Sequence, residues 1–449
     1  MKKLLSFALV CVMMIALVPQ AFAAKQELVV SVSSDIESKE WFQEGMRRFS
    51  EKHPKVEIVL EPHEGISARP KIVSQIYTGN APDVLYANLY WVKDFAKNGW
   101  ITPVNDYFDE ETINDFYADF RNYATVDGKL YGFFNATDIA TIVYRKSLLE
   151  AAGIEIPAED ECWTWEQFVE AGKKLTQDTD NDGKMDVWGI GVSASNEGTT
   201  TYTNFPMYFM AGGTLVDENG NSTCGGEAAV KTMQFYYDLL NTYKTTPPES
   251  YAYSHSEMVS AFNAGQYAML FDASWSIDTL APQFPEDVYA MLYPVPQAGD
   301  ASQSLCGGWV YTIMAEEDET KQLAADFIRE MIAVDLCVAR YNENMALPVR
   351  HSAFDRIINE ENDPVRKSWM TVFSKQMEHT NLKPGDAIYD IIQDEYTVHL
   401  AQVMKGEMSA QDAVTDMENK IQQRGKPALS SKTWQRSGRR TSVRSLVLL

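Results

Sequence analysis

Residues 178–189 read DTDNDGKMDVWG, a concentration of metal-binding chemistry. Asp178, Asp180 and Asp182 occupy alternate positions, and Gly183 permits a sharp turn. Lys184 offers a backbone carbonyl, and Asp186 falls at the ninth position of the loop. That is the ligand order of a calcium loop, in which about six to eight hard oxygens surround the ion. Clustered carboxylates repel one another unless a cation sits among them. A helix–loop–helix calcium motif places a bidentate Glu at the twelfth position, where this chain has Gly189. A remote carboxylate would have to complete the shell. A surface turn held by Asx hydrogen bonds fits the same residues. The expectation is a structural calcium ion on Asp178, Asp180, Asp182, Lys184 and Asp186.

Signatures of catalysis are missing. There is no Gly-x-Ser-x-Gly nucleophile elbow and no phosphate loop ending in Gly-Lys-Ser or Gly-Lys-Thr. His63-Glu64 lacks the second histidine of a zinc-protease helix. Gly189-x-Gly191-x-x-Ala194 mimics a dinucleotide fingerprint, but it lies inside a strand pattern and not after one. It is read as a strand with small residues. The chain is therefore expected to bind and not to catalyse.

The elements that must carry these residues alternate between strand and helix. LVVSV at 28–32 and KVEIVL at 55–60 read as strands. Between them, Phe42, Met46 and Phe49 recur at helical spacing, and Pro54 lies beyond the helix end. Strand–helix–strand marks an α/β domain with a parallel sheet. Thr164 and Gln167 form a capping box for TWEQFVEAGKKL. Further helices are expected in EAAVKTMQFYYDLL, in TKQLAADFIREMI and after Ser409. Further strands are expected at 141–145, 188–194, 267–271 and 309–315.

Composition narrows the class. The 449 residues suit two domains. A formal charge of -24 leaves no basic face for nucleic acid. Lys2-Lys3, an apolar run at 4–18 and Ala21-Phe22-Ala23 form a secretory signal peptide over residues 1–23. The apolar run is shorter than the ~20 residues needed to span a bilayer. Cys162, Cys224, Cys306 and Cys337 match no zinc spacing, and disulfides and free thiols both remain open. Residues 424–449 are basic and lack a helical period, so they are expected to form an unpacked tail.

The order of several blocks resembles the family 1 extracellular solute-binding proteins of bacterial ABC importers. FSEKHPKVEIVL is followed by TGNAPDVLYANLYWVKDFAKNGWITPV, and KLYGFFNATDIATIVYRKSLLEAAGIEIPAEDECWTWEQF comes next. FNAGQYAMLFDASW, YPVPQAG, GGWVYTI, AADFIREMI and ALPVR complete the order, which covers roughly residues 27–423. The resemblance implies a two-lobed α/β fold of the type II periplasmic binding protein kind, each lobe a sheet flanked by helices. By analogy one lobe comprises 24–135 with 293–347, and the other 136–292 with 348–423. Crossing segments are then expected near 134–138, 292–296 and 347–352.

The implied function is capture of a sugar by closure of an exported monomer, in the periplasm or on the outer face of the membrane, with delivery to an ABC permease. The cleft residues implied are Ser34, Asp35 and Glu37 after the first strand, Asn88 and Tyr90, and Asn135 and Asp138. Thr203, Asn204, Ser274, Trp275, Gly307, Gly308 and Trp309 complete the set. Asp35 and Glu37 also stand where they could cap the first helix. A secreted glycan-acting enzyme, a calcium-dependent adhesin, and the same fold holding a polyol, glycerol phosphate or another small solute are the competing readings. The acidic body and the lack of an Arg/Lys cluster in these loops weigh against an anion.

Overall fold

The computed structural model describes residues 25–195, 198–217, 220–280, 283–384 and 388–425. The expected signal peptide and all of the basic tail beyond Gly425 lie outside them. Arg424 and Gly425 do not belong to a tail: they end a helix, and Arg424 donates to Glu395 at 2.7 Å and to Asp394 at 2.9 Å.

Strands β1 (Gln26–Ser33), β2 (Val56–His63), β3 (Val84–Asn88) and β4 (Phe133–Phe134) are followed by β5 (Ala140–Arg145), β6 (Trp188–Gly191), β7 (Tyr267–Ala273) and β8 (Val288–Met291). Next come β9 (Ser304–Cys306), β10 (Trp309–Ile313) and β11 (Thr380–Leu382). The first sheet has the order β2-β1-β3-β10-β4, and the second has the order β8-β5-β7-β6. β1 runs parallel to β2 and β3, whereas β10 is antiparallel to both its neighbours. In the second sheet β5 and β7 are antiparallel and β6 follows β7 in parallel. β9 and β11 form a small parallel pair between the sheets.

Helices cover the sheets with the faces their sequence periods dictate. Helix α1 (Glu40–Lys52) buries Trp41, Phe42, Gly45 and Phe49, and Phe49 meets Phe327 edge-on at 5.6 Å. Helix α2 (Leu89–Lys97) buries Trp91, Val92 and Phe95. Helix α3 (Trp165–Leu175) starts at the expected capping box, with both reciprocal bonds made. Helix α4 (Gly198–Met210) is buried along nearly its whole length. Helix α5 (Val334–Asn344) packs on α1, and α6 (His351–Glu360), α7 (Pro364–Gln376), α8 (Ile388–Met404) and α9 (Ala410–Gly425) follow.

Two boundaries differ from expectation. The second crossing lies at 304–308, later than 292–296. Residues 293–302 stay with the second sheet: Val295 bridges Thr164, and the Tyr293 hydroxyl donates to Thr203 at 2.8 Å. At the third crossing, α6 remains with the first lobe although 348 onward was expected in the second. Arg350 and Ser352 are tied to Asp115, and Phe354 meets Tyr117 edge-on at 5.9 Å. Transfer to the second sheet comes with α7, whose Trp369 indole donates to Val288 at 2.9 Å. Cys162, Cys224, Cys306 and Cys337 are free thiols. Burial pushes the thiol of Cys224 up to about 12 and that of Cys337 up to about 11. Among the described residues no helix is long and apolar enough to cross a membrane.

The glycines that mimic a dinucleotide fingerprint serve packing. A Cβ on Gly189 would stand 2.0 Å from the backbone oxygen of Gly172 in α3, and one on Gly191 would stand 2.2 Å from Leu270. Strand and helix backbones touch here, which only glycine allows. Gly189→Ala is expected to destabilise the fold by about 1–3 kcal/mol. Denaturant unfolding of the variant beside the parent checks this, and an unchanged midpoint would contradict the close approach.

Candidate functional site

The carboxyl ends of β1, β2 and β3 form one edge of the first sheet, where Asn88 pairs with Trp309 at the start of β10. In the second sheet the matching edge holds the start of β5 and the end of β7, with Ala140 opposite Ala273. Ligand sites in open α/β sheets favour such strand ends. The crossing segments join these edges and are bonded to one another. Thr137 and Leu347 exchange backbone hydrogen bonds of 2.8 and 3.0 Å. The Thr137 hydroxyl donates to the Gly307 carbonyl at 2.8 Å, and Ile139 bridges Cys306. Leu382 of β11 pairs with Cys306 and brings the stretch after α7 alongside the second crossing.

Four side chains gather where the crossings meet. Asp138, on the first crossing, accepts a hydrogen bond from the Tyr202 hydroxyl of α4. Lys383, just after β11, holds its ammonium 4.6 Å from the centre of the Tyr202 ring. Trp275, just after β7, meets Tyr202 edge-on at 4.8 Å and keeps 36 % of its surface exposed. Gly307, on the second crossing, makes room: a Cβ there would stand 3.4 Å from an Asp138 oxygen. Burial pushes the Asp138 carboxyl above its usual range, against the pull of Tyr202 and Lys383. Burial also lowers Lys383 below the ordinary lysine value and drives the Tyr202 hydroxyl well up. Burial thus penalises the charged forms of Asp138 and Lys383 and holds Tyr202 neutral, a set of perturbed groups of the kind that gathers at functional sites.

The other expected cleft residues divide into rim and interior. Ser34 and Asp35 are exposed in the turn after β1, and Glu37 is half-buried there. Neither Asp35 nor Glu37 caps α1, whose N-cap is Lys39 with no side-chain bond. Asn88 caps α2 by accepting from the Tyr90 backbone at 3.1 Å, and the Tyr90 ring lies 6.2 Å from that of Tyr389. Trp309 is half-buried and stacks on Tyr86 at 5.6 Å. Five residues are turned to other work. Asn135 is buried and accepts from the Tyr86 hydroxyl at 2.8 Å and from Arg340. Asn204 is fully buried and donates to Ser193 at 3.1 Å, and Thr203 bonds the Thr199 carbonyl of its own helix. The Ser274 hydroxyl accepts from the Ile139 backbone at 3.1 Å. Gly308 sits at φ 144°, where a Cβ would meet Phe134 at 3.0 Å. Tyr202, Lys383 and Arg340 were not anticipated. Tyr202 stands one residue before Thr203, on the face of α4 that reaches Asp138. Lys383 and Arg340 carry no local signal.

The acidic loop lies at the other end of the second sheet, before the first residue of β6. A bridge between Gln177 and Val187 closes it. Oxygens of Asp178, Asp180 and Asp186 come within 4.8 Å of one another. Asp182 is not in that group: its carboxylate accepts from the Lys184 backbone at 2.8 Å. Asp178 and Asp180 accept from the Asp182 backbone, and Asp186 accepts from Thr179 at 2.7 Å. Three of the five expected ligands thus converge, inside a net of Asx hydrogen bonds.

Residues 33–334 match the family described as bacterial extracellular solute-binding protein. A probable amino-acid ABC transporter periplasmic-binding protein of Sinorhizobium fredii is 26% identical, over 68% of this chain and 67% of its own length. An arabinooligosaccharide-binding protein of Halalkalibacterium halodurans is 24% identical, over 64% and 63%. The chain thus spans about two thirds of the length of these curated relatives. The cyclic alpha-maltosyl-1,6-maltose binding protein of Arthrobacter globiformis shares the fold, with a TM-score of 0.72, 19% identity, and coverage of 88% of this chain and 98% of its own.

The raised carboxyl of Asp138 has a definite sign. The folded state holds the Asp138 proton more tightly than the unfolded chain, whose value is 3.8. Stability contributed at this site is therefore full below that value and is lost as pH rises through the folded one. Asp138→Asn is expected to melt at or above the parent temperature at neutral pH, with the gap closing as pH falls toward 4. Paired thermal melts across that range check it. A variant that is markedly less stable at neutral pH would show that the bond from Tyr202 outweighs the burial.

Proposed function

Because the chain belongs to the bacterial extracellular solute-binding protein family, we propose that it captures a sugar or oligosaccharide between its lobes and delivers it to an ABC permease. The gathering of Asp138, Tyr202, Lys383 and Trp275 at the meeting of the crossings carries this reading. Sugars present C–H faces that stack on flat rings and hydroxyls that need directed partners, and such clefts combine aromatic walls with a few polar groups. Trp275 offers a partly exposed indole, and Asp138 and Lys383 offer an acceptor and a donor beside it. The arabinooligosaccharide-binding relative supports a carbohydrate. Under this reading the chain works outside the cytoplasmic membrane as a monomer. Ligand contacts made on both lobes favour the closed state, and closure is the signal the permease reads.

The test is calorimetric titration and thermal shift with mono- and oligosaccharides, polyols and amino acids. A true ligand at about 100 times its Kd should add ~2.7 kcal/mol of stability with no product formed. Trp275→Ala should weaken that ligand about tenfold or more, ~1.4 kcal/mol, with the fold intact. Binding of amino acids alone, or release of cleaved sugar, would refute the reading.

We also propose that the loop of Asp178, Asp180 and Asp186 takes calcium in a structural role, away from the cleft. The proximity of the three carboxylates supports it. Calcium and terbium titrations should show one stoichiometric site and a raised melting temperature, and Asp180→Asn should weaken it. Titrations without a stoichiometric end point would leave the loop a hydrogen-bonded turn.

A further inference from the structure

We infer that the solute is an acidic sugar whose carboxylate is held by Arg340 and Lys383, an inference that rests on the sugar-binding reading above. The chain has 63 acidic and 39 basic residues, so carboxylate partners are plentiful. Arg340 nevertheless stands at 9 % exposure on α5 with no carboxylate in ion-pair range among the described residues. One of its terminal nitrogens, Nη1, donates to Asn135 Oδ1 and, at 3.1 Å, to the Tyr86 hydroxyl. The guanidinium lies 4.6 Å over the Trp41 ring. Its Nε has no acceptor among the described residues, and Nη2 makes no hydrogen bond there. The Nε–Nη2 edge is the fork that grips a carboxylate with two parallel bonds. Asn135 Nδ2 and Trp41 Nε1, on two residues in contact with this guanidinium, are likewise buried donors without acceptors. A buried cation ringed by spare donors is costly unless an anion answers it.

Arg340 reaches the cleft through its partners. Asn135 opens the first crossing, and Tyr86 stacks on half-buried Trp309 at the sheet edge. Of the nearby carboxylates, Glu343 on α5 accepts from the Trp41 backbone at 3.2 Å, and Asp35 at the rim accepts from Ser33. Lys383 stands by the same crossing, its ammonium over the Tyr202 ring that is bonded to Asp138. It too has no ion-pair partner among the described residues, and Asp138 and Asp390 act on it only at longer range. Neither cation lies in a loop expected to line the cleft, so the lack of an Arg/Lys cluster in those loops does not exclude an anion. A neutral sugar would need neither charge. A uronate would place its ring near Trp275 and its carboxylate between the two cations.

The experiment is calorimetry on the full chain with matched pairs: glucose and glucuronate, galactose and galacturonate, and the oligosaccharides of each. The uronate of the preferred pair should bind about thirtyfold tighter than its neutral partner, and the margin should shrink as salt rises. Lys383→Met should cut the uronate-over-neutral ratio about fivefold or more. Arg340→Gln should do the same, and its melting temperature and circular dichroism must accompany it because the side chain is buried. Neutral sugars binding as tightly as uronates would overturn the charge inference and leave the sugar reading standing. Binding of neither class would overturn both. A uronate preference kept in full by both variants would show that other residues hold the carboxylate.

Discussion

Backbone that leaves a sheet and passes through the interior must find partners for its N–H and C=O groups, and in this molecule that demand fixes everything near the cleft. The segments between the lobes lie outside the two main sheets and are largely buried, so their backbone groups need partners of another kind. They use one another: Thr137 with Leu347, Ile139 with Cys306 and Ser274, Thr137 with Gly307. Each lobe edge is thereby tied to all the crossings at once. A change in the angle between lobes has to be absorbed along this shared seam, and the side chains best placed to feel it are those that project from it. Asp138 and Lys383 are two of them.

Those same positions carry the polar groups that the fold solves least well. Elsewhere buried charges are partnered: Asp272 by His255 at 2.8 Å and His399 by Asp416 at 3.0 Å. Around the seam stand a carboxyl raised by burial, a lysine lowered by it and an arginine without a counterion. Their desolvation opposes folding, and under the proposed function a closing ligand answers the two cations. Such local costs mark sites kept for binding and not for stability.

Much of the fold was legible. Long amphipathic helices and the main sheet strands followed from period and caps, as at Thr164–Gln167, because those signals are local. Short strands such as 133–134, 304–306 and 380–382 escaped, since two or three residues carry no period. The boundary at 293 failed for a related reason: Val295 joins Thr164 through a long-range bridge that no local pattern announces. The candidate site was half legible. Loops after strands were located, yet the residue within each loop depends on how its element is turned. Asn204 and Tyr202 share one helix, and only Tyr202 reaches Asp138. Arg340 and Lys383 lie well beyond Trp309, the last residue expected to line the cleft.

The position of β10 has a consequence for how the chain acquires this shape. That strand fills the gap between β3 and β4, yet all of the second sheet comes before it in sequence. While the chain is being completed, the edges of β3 and β4 stand open. The first lobe therefore cannot close early as an independent unit. Pairings over such distances are slow, because loop-closure entropy is lost before the contact forms. The two lobes mature together, and the open edges in the interval are templates for mispairing with other chains.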